Sequence, residues 1–431
     1  MKKTSIALAV FAASASAYAQ SSVTIFGIVD AAVSHYSVKS VSSGVPPIGS
    51  PAPLVSSVQR SQTALSSGGY LPSRLGFRGD EDLGGGLSAG FWLESPLTND
   101  DGAVGLANFS RRSTVSLSGS FGELRLGRDY TPTFWLQTLF DPFGNIGVGG
   151  TAIGSVGMNL NRAAAVAGGG PLNGGVSGGS DNYTRASNMV GYFLPPNLGG
   201  FYGQLQYSLH ENVKSGELAG SPSKRGQHIG GRFGYASGPL DIAVSYTESI
   251  AIDSLLPNGN QTERKIDNAN LGASYDFGPA KAFVQLSRAG DDASASALTA
   301  LGRVGTGTKD KYDGALVGLT VPVGSGLVRA SYSRVKFKDD AGSVPASPFA
   351  PNLAASANKF ALGYVHNLSK RTALYATVAR IRISDGQNNP AVMGIVPGAG
   401  GSPSYSTSIA GVGSFAPKSA TGYDFGIRHA F

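Results

Sequence analysis

The sequence predicts an all-β fold, a transmembrane antiparallel β-barrel of sixteen strands, and three observations carry that prediction. Apolar and polar residues alternate with a period of two along segments of about ten residues, the length of a tilted membrane-crossing strand. The connections between segments alternate between tight turns bearing glycine or proline and long polar stretches, the asymmetry of a barrel with one short-turned rim. Composition is the third: of 431 residues only 14% are charged, 41% are hydrophobic, 62 are glycine and none is cysteine. Ordinary chains carry about 25% charged residues and about 7% glycine, so this surface is expected to be only partly wet. The absence of cysteine excludes thiolate metal sites, disulfide frameworks and cysteine nucleophiles, and the five histidines are scattered. Neither a metal nor a cofactor is expected.

The elements follow in order. Lys2 and Lys3, an apolar run from Ile6 to Ala13 and the tripeptide Ala17-Tyr18-Ala19 predict a cleavable signal peptide over residues 1–19. The run is shorter than the 18 or so apolar residues that a membrane anchor needs. Cleavage before Gln20 removes two lysines and no acid, which lowers the formal charge from +7 to +5. Residues 20–431 are then one barrel domain. Its first strand reads Val23 to Val33, with Thr24 and Asp30 on the polar parity. The same alternation recurs at 201–210, 240–246, 270–277 and 280–287, and at the very end, where Tyr423, Phe425, Ile427, His429 and Phe431 share one parity. No stretch reads as a helix. Tight turns are expected at 82–86, 118–122, 198–200, 237–239, 278–279, 324–326 and 368–371, where Gly and Pro supply the φ values of chain reversals. Long loops are expected over 37–73, 94–111, 211–227, 248–267, 290–313, 338–358 and 385–419.

Ordered motifs also run the length of residues 21–431. They are Ser21-Ser22-Val23-Thr24-Ile25-Phe26-Gly27 with Asp30, Ser73-Arg74-Leu75-Gly76-Phe77-Arg78-Gly79, and Glu81-Asp82-Leu83-Gly84-Gly85-Gly86-Leu87. Phe91-x-Leu93-Glu94, Phe121-Gly122-Glu123-Leu124-Arg125-Leu126-Gly127-Arg128, Leu368-Ser369-Lys370-Arg371-Thr372 and the closing Gly422-Tyr423 with Phe431 complete the set. In that order and spacing the chain resembles the Gram-negative general porins, of the trimeric type found in beta-proteobacteria. The resemblance implies an outer-membrane channel, a homotrimer among outer-membrane lipid and lipopolysaccharide, and recognition by the barrel-assembly machinery through the strand ending in Phe431. It further implies that the third loop folds into the barrel and narrows it. Three departures bear on the bore: Trp92 has lumen parity, residues 128–185 are long and glycine-rich, and the last loop, through Pro390 to Pro417, is expanded.

Parity assigns the lumen. With Leu75 and Phe77 facing lipid, Arg74 and Arg78 face water; with Leu124 and Leu126 outward, Glu123 and Arg125 point in. The same reasoning turns Arg112 and Arg329 inward. Arg74, Arg78, Arg112 and Arg125, on strands about 4.8 Å apart, are expected to form a basic ladder. A guanidinium stays charged at any relevant pH, so such a ladder concentrates anions in a narrow wet pore. Pro132 and Pro142 exclude a central strand beyond Arg128. By the resemblance, Asp129, Tyr130 and Asp141 then line the constriction opposite the arginines, setting a transverse field. The competing reading has Asp129 and Asp141 bonded to loop backbone. Glu94 and Arg128, inside the resembling motifs, complete the candidate pore-lining set.

Other signals are weaker. The glycine runs at 147–151 and 168–170 lack the Lys-Ser/Thr and strand–helix context of phosphate loops. Lys336, Lys338, Asp339 and Asp340 read as a solvated strand end. Basic residues are too dispersed for nucleic acid. The expected function is therefore passive diffusion of small anionic or polar solutes, with no reaction catalysed. Two rivals are a barrel phospholipase, for which Ser208 and His210 would be the pair to test, and a surface adhesin or structural barrel using the long loops.

Overall fold

The computed structural model describes residues 22–43, 55–102, 108–167, 182–211, 224–255, 259–299, 302–339, 354–388, 394–395, 404–406, 408–409 and 413–431. The expected signal peptide lies outside them, as do residues 168–181 of the third loop.

Sixteen antiparallel strands close into one barrel. They are β1 (Ser22–Ser42), β2 in two halves (Ser57–Ser67 and Arg74–Gly84), β3 (Leu87–Pro96), β4 (Arg112–Gly119), β5 (Gly122–Tyr130), β6 (Arg185–Phe193), β7 (Phe201–Ser208) and β8 (His228–Ser237). The circuit continues with β9 (Leu240–Leu255), β10 (Gln261–Asp276), β11 (Lys281–Thr299), β12 (Gly302–Val323), β13 (Gly326–Asp339), β14 (Ala354–Asn367), β15 (Thr372–Ser384) and β16 (Gly413–Ala430). Both halves of β2 pair with β1 on one edge, and β16 pairs with β1 on the other, from Ile28↔Ala430 to Ser42↔Phe415. Reciprocal 3.1 Å bonds between Gly27 and Phe431 end the seam, so the terminal residue is held by the ladder. Closure leaves no unpaired barrel edge among the described residues.

The two faces separate as parity predicts. Val23, Ile25, Leu124, Leu126, Leu205, Val284, Leu286 and Phe425 are exposed on the outside, whereas Asp30, Ser34, Arg125, Gln204, Gln285 and Asp424 are buried within. An apolar exterior this continuous needs lipid as its solvent. Aromatic pairs mark the short-turn rim: Phe201 and Tyr235 have ring centroids 4.8 Å apart, Tyr275 and Phe277 4.6 Å. The reversal at Gly84-Gly85-Gly86 holds three successive positive φ angles that side chains would resist.

Two expectations are corrected. Several predicted long loops are strand: β11 and β12 run 19 and 22 residues and stay paired to Thr299↔Gly302, and β9 and β10 pair out to Leu255↔Gln261. Beyond the lipid both faces are wet, so Asp291, Asp292, Ser294 and Ser296 erase the hydropathy alternation while the ladder continues. The chain also contains helix. Pro132–Leu139 forms α1, with Pro132 in the first turn and the Thr131 hydroxyl accepting from Phe134 N–H at 3.3 Å. Ala152–Ala167 forms α2, inside the segment expected to be glycine-rich loop; Ile153, Val156 and Leu160 are its buried stripe.

Candidate functional site

The low side of the barrel, where β3 to β7 are only 8 to 10 residues long, gathers the inward arginines. Glu94 stands across the ladder from Arg112. Its carboxylate accepts from Arg111 Nε at 2.5 Å and Trp92 Nε1 at 3.2 Å, and lies 3.8 Å from Arg74 Nε. On β5, Asp129 takes Arg125 Nη1 at 2.5 Å and lies 3.5 Å from Arg112 Nε. Glu123 grips Arg125 through Nε and Nη2, both at 2.9 Å. The Trp92 ring faces the guanidinium groups of Arg78 at 5.3 Å and Arg112 at 4.5 Å, with Phe26 edge-on at 4.9 Å. The Tyr130 hydroxyl accepts from Arg111 Nη2 at 3.1 Å and Arg185 Nη2 at 2.9 Å. Six guanidinium groups thus gather around three carboxylates, with Arg74, Arg111, Arg112 and Arg125 paired to them, Arg78 on the Trp92 ring and Arg185 on Tyr130. Interleaved acids and ring faces let like charges stand close, and the positive excess does not titrate.

The chain that follows crosses the barrel interior. α1 lies on the inward faces of β7 to β10, with Gln137 Nε2 donating to Asn270 Oδ1 at 2.8 Å and Thr133 and Thr247 hydroxyls 2.8 Å apart. Phe140 and Pro142 then press on Gly272 and Gly318, where an added Cβ would come within 2.1 and 2.4 Å of them. Val148 N–H donates to Asp424 Oδ2 at 2.9 Å on β16, and the Lys359 ammonium holds the carbonyls of Gly150 and Ile395 together. α2 returns along β9 to β14. The loop therefore covers one side of the interior and leaves the arginine wall facing α1 across the remaining space.

Of the predicted residues, Arg74, Arg78, Glu94, Arg112, Glu123, Arg125, Asp129 and Tyr130 come together here. Three do not join them. Arg128 pairs with Ser113 on the outward side of Val115 and Leu126, and its guanidinium donates to Ser110 O and Ser187 Oγ at 2.7 Å each. Its parity is that of Leu124 and Leu126. Arg329 is buried beneath the crossing loop, 4.6 Å from the rings of both Tyr70 and Phe143. Asp141 is buried in its own turn, accepting from Phe143 N–H at 3.1 Å and Asn145 N–H at 2.7 Å, and burial pushes its carboxyl up to about 6. The expected field between Asp129 and Asp141 on the loop and arginines on the wall is not laid out that way. Asp129 is still part of the β5 wall, among the arginines, and Asp141 takes the backbone-bonded alternative.

Sequence reasoning missed Arg111, Arg185, Arg232 and Lys359. Arg111 and Arg185 flank strand ends, where parity has no anchor; Arg232 lies in a Gly-rich strand whose alternation was not read. Ser208 and His210, the pair named for a phospholipase, do not form a dyad: Ser208 pairs across the ladder with His228, whose Nδ1 lies 2.8 Å from Ser249 Oγ. Among the described residues no group of His, Asp and Glu is arranged to hold a metal ion.

Comparison with known proteins places this geometry in context. The Gram-negative porin family profile matches residues 4–386. Outer membrane porin protein 32 of Delftia acidovorans is 36% identical over 434 residues, covering all of both chains. An outer membrane porin protein of Bordetella pertussis is 31% identical over 87% of this chain and 93% of its own. The solved anion-selective porin from Comamonas acidovorans superposes with a TM-score of 0.64 at 33% identity, over 96% of this chain and all of the other.

Proposed function

The chain belongs to the Gram-negative porin family, an outer-membrane passive channel, and on that premise we propose that the arginine wall makes its pore anion-preferring. The observation carrying this reading is the surplus of guanidinium groups over carboxylates on the wall: Arg74, Arg78, Arg111, Arg112, Arg125 and Arg185 against Glu94, Glu123 and Asp129. Fixed positive charge in a confined aqueous space attracts anions and repels cations without binding either tightly enough to stop flow. Small anionic or polar solutes pass by diffusion, and no bond is made or broken. The similarity to the anion-selective porin from Comamonas acidovorans supports the same sign.

The low wall of β3 to β7 presents an apolar outer face of Phe91, Val115, Leu117, Leu124, Leu126 and Val190. We assign this side to contact between copies in a homotrimer. On the opposite, taller side, Arg334, Lys336, Lys338, Arg380 and Arg382 are exposed on the outward parity, above Tyr332 and Phe360. That cationic patch at the outer-leaflet level suits the phosphates of lipopolysaccharide. The terminal strand ending in Phe431 is the segment offered to the barrel-assembly machinery.

The deciding experiment is a planar-bilayer recording across a KCl gradient. Large ohmic steps with a zero-current potential set by chloride are expected, and Arg74→Gln with Arg125→Gln should move that potential toward potassium. Because guanidinium does not titrate, the native value should hold from about pH 6 to about pH 9. A silent bilayer, or a potential unmoved by both substitutions, refutes the assignment.

A further inference from the structure

α1 turns Thr133, Phe134, Leu136 and Gln137 onto the barrel wall and leaves Trp135 and Leu139 on its other side, 37% and 40% exposed. Large apolar side chains facing the water of a lumen are otherwise spent surface, because a diffusion pore gains nothing from exposing them. Around them Tyr130, Phe134, Trp135, Thr138 and Leu139 enclose a recess of about 330 Å³. Tyr130 stacks on Phe134 at 5.3 Å and meets Trp135 edge-on at 5.6 Å, which stiffens its floor. Cations stand at both ends. Arg185 lies 4.4 Å over the Tyr130 ring, and Arg232 lies 5.4 Å from Trp135 and 5.3 Å from Tyr202. Arg232 Nε and Nη1 are buried without a hydrogen-bond partner, as is Arg185 Nε, so neither guanidinium spends its full set of donors on the protein.

We propose that this recess is a solute subsite for carboxylates carrying a flat apolar body, of the benzoate type. The ring lies against Trp135 and Leu139 while the carboxylate meets the Arg232 guanidinium beside Trp135. The inference rests on the anion-conducting reading and deepens it. Chloride and acetate use only the charge; an aromatic carboxylate uses charge and apolar contact together, and so dwells longer. Long dwell in the narrowed interior reads out as reduced current carried by the small ion.

The test is block of chloride current by added benzoate, with acetate as the matched anion, in the full-length channel. Benzoate should reduce the native current saturably, with acetate showing no saturation over the same range. Each variant is normalised to its own chloride current. Trp135→Ala and, separately, Leu139→Ser should raise the half-blocking benzoate concentration about fivefold, and Arg232→Gln should raise it further. Equal behaviour of benzoate and acetate in the native channel, or an unchanged half-blocking concentration in all three variants, overturns the subsite. The salt-gradient potential separates the two ideas: a cation-preferring native channel sinks the anion reading itself, whereas an anion-preferring channel blind to the ring sinks only this one.

Discussion

Arg125 is tied at both ends, by Glu123 and by Asp129, and lies 3.9 Å over the Phe193 ring. A side chain so held presents a charge at one place rather than sweeping a volume, and the same restraint costs little because the acids are its strand neighbours. The pairing also means that the wall's net charge is set by its acids as much as by its arginines. Asp129→Asn should therefore increase anion preference, raising the chloride-to-potassium permeability ratio about twofold by removing the acid that faces Arg112 and Arg125. The zero-current potential in a salt gradient reads the change, and a shift toward potassium would contradict it. Arg125 keeps both of its bonds to Glu123 in the variant, so its buried guanidinium still has an acid and the change is expected in selectivity rather than in folding.

At the scale of elements, the loop carrying α1 is seated by what the strands omit. Gly272 and Gly318 point at Phe140 and Pro142, and neither site has space for a Cβ. Part of the unusual glycine content thus makes room for an interior segment, beyond the turns. Gly272→Val should push Phe140 and the end of α1 off the wall, giving altered single-channel conductance and faster protease cleavage within residues 131–150. An unaltered conductance with native protease resistance would show that α1 is held by its polar ties to Thr247 and Asn270 alone. The alternating strands were legible because one face meets lipid; α2 was not, because its sequence is small and glycine-bearing and its stripe of Ile153, Val156 and Leu160 matters only once a barrel surrounds it.

The whole molecule is asymmetric around its axis: a low apolar wall of β3 to β7 and a tall wall with a cationic outer patch. If the patch meets lipopolysaccharide phosphates, reversing it with Lys336→Glu, Lys338→Glu and Arg382→Glu should lower co-purifying lipopolysaccharide several-fold while heat-modifiable oligomers on SDS gels persist. Retained lipopolysaccharide would place that contact elsewhere. The strand count, the sidedness of the strands with a clear alternation, the outer-membrane address and the inward parity of Arg74, Arg78, Arg112 and Arg125 were readable from residue order. A period of two with one face in lipid admits a single parity, and a slip by one residue would put charge into hydrocarbon. Which arginine meets which carboxylate, the outward turn of Arg128, the burial of Asp141 and the reach of α1 across the interior were decided only by tertiary structure. They depend on register between strands and on a loop that packs against walls more than a hundred residues away, and neither leaves a local periodic trace.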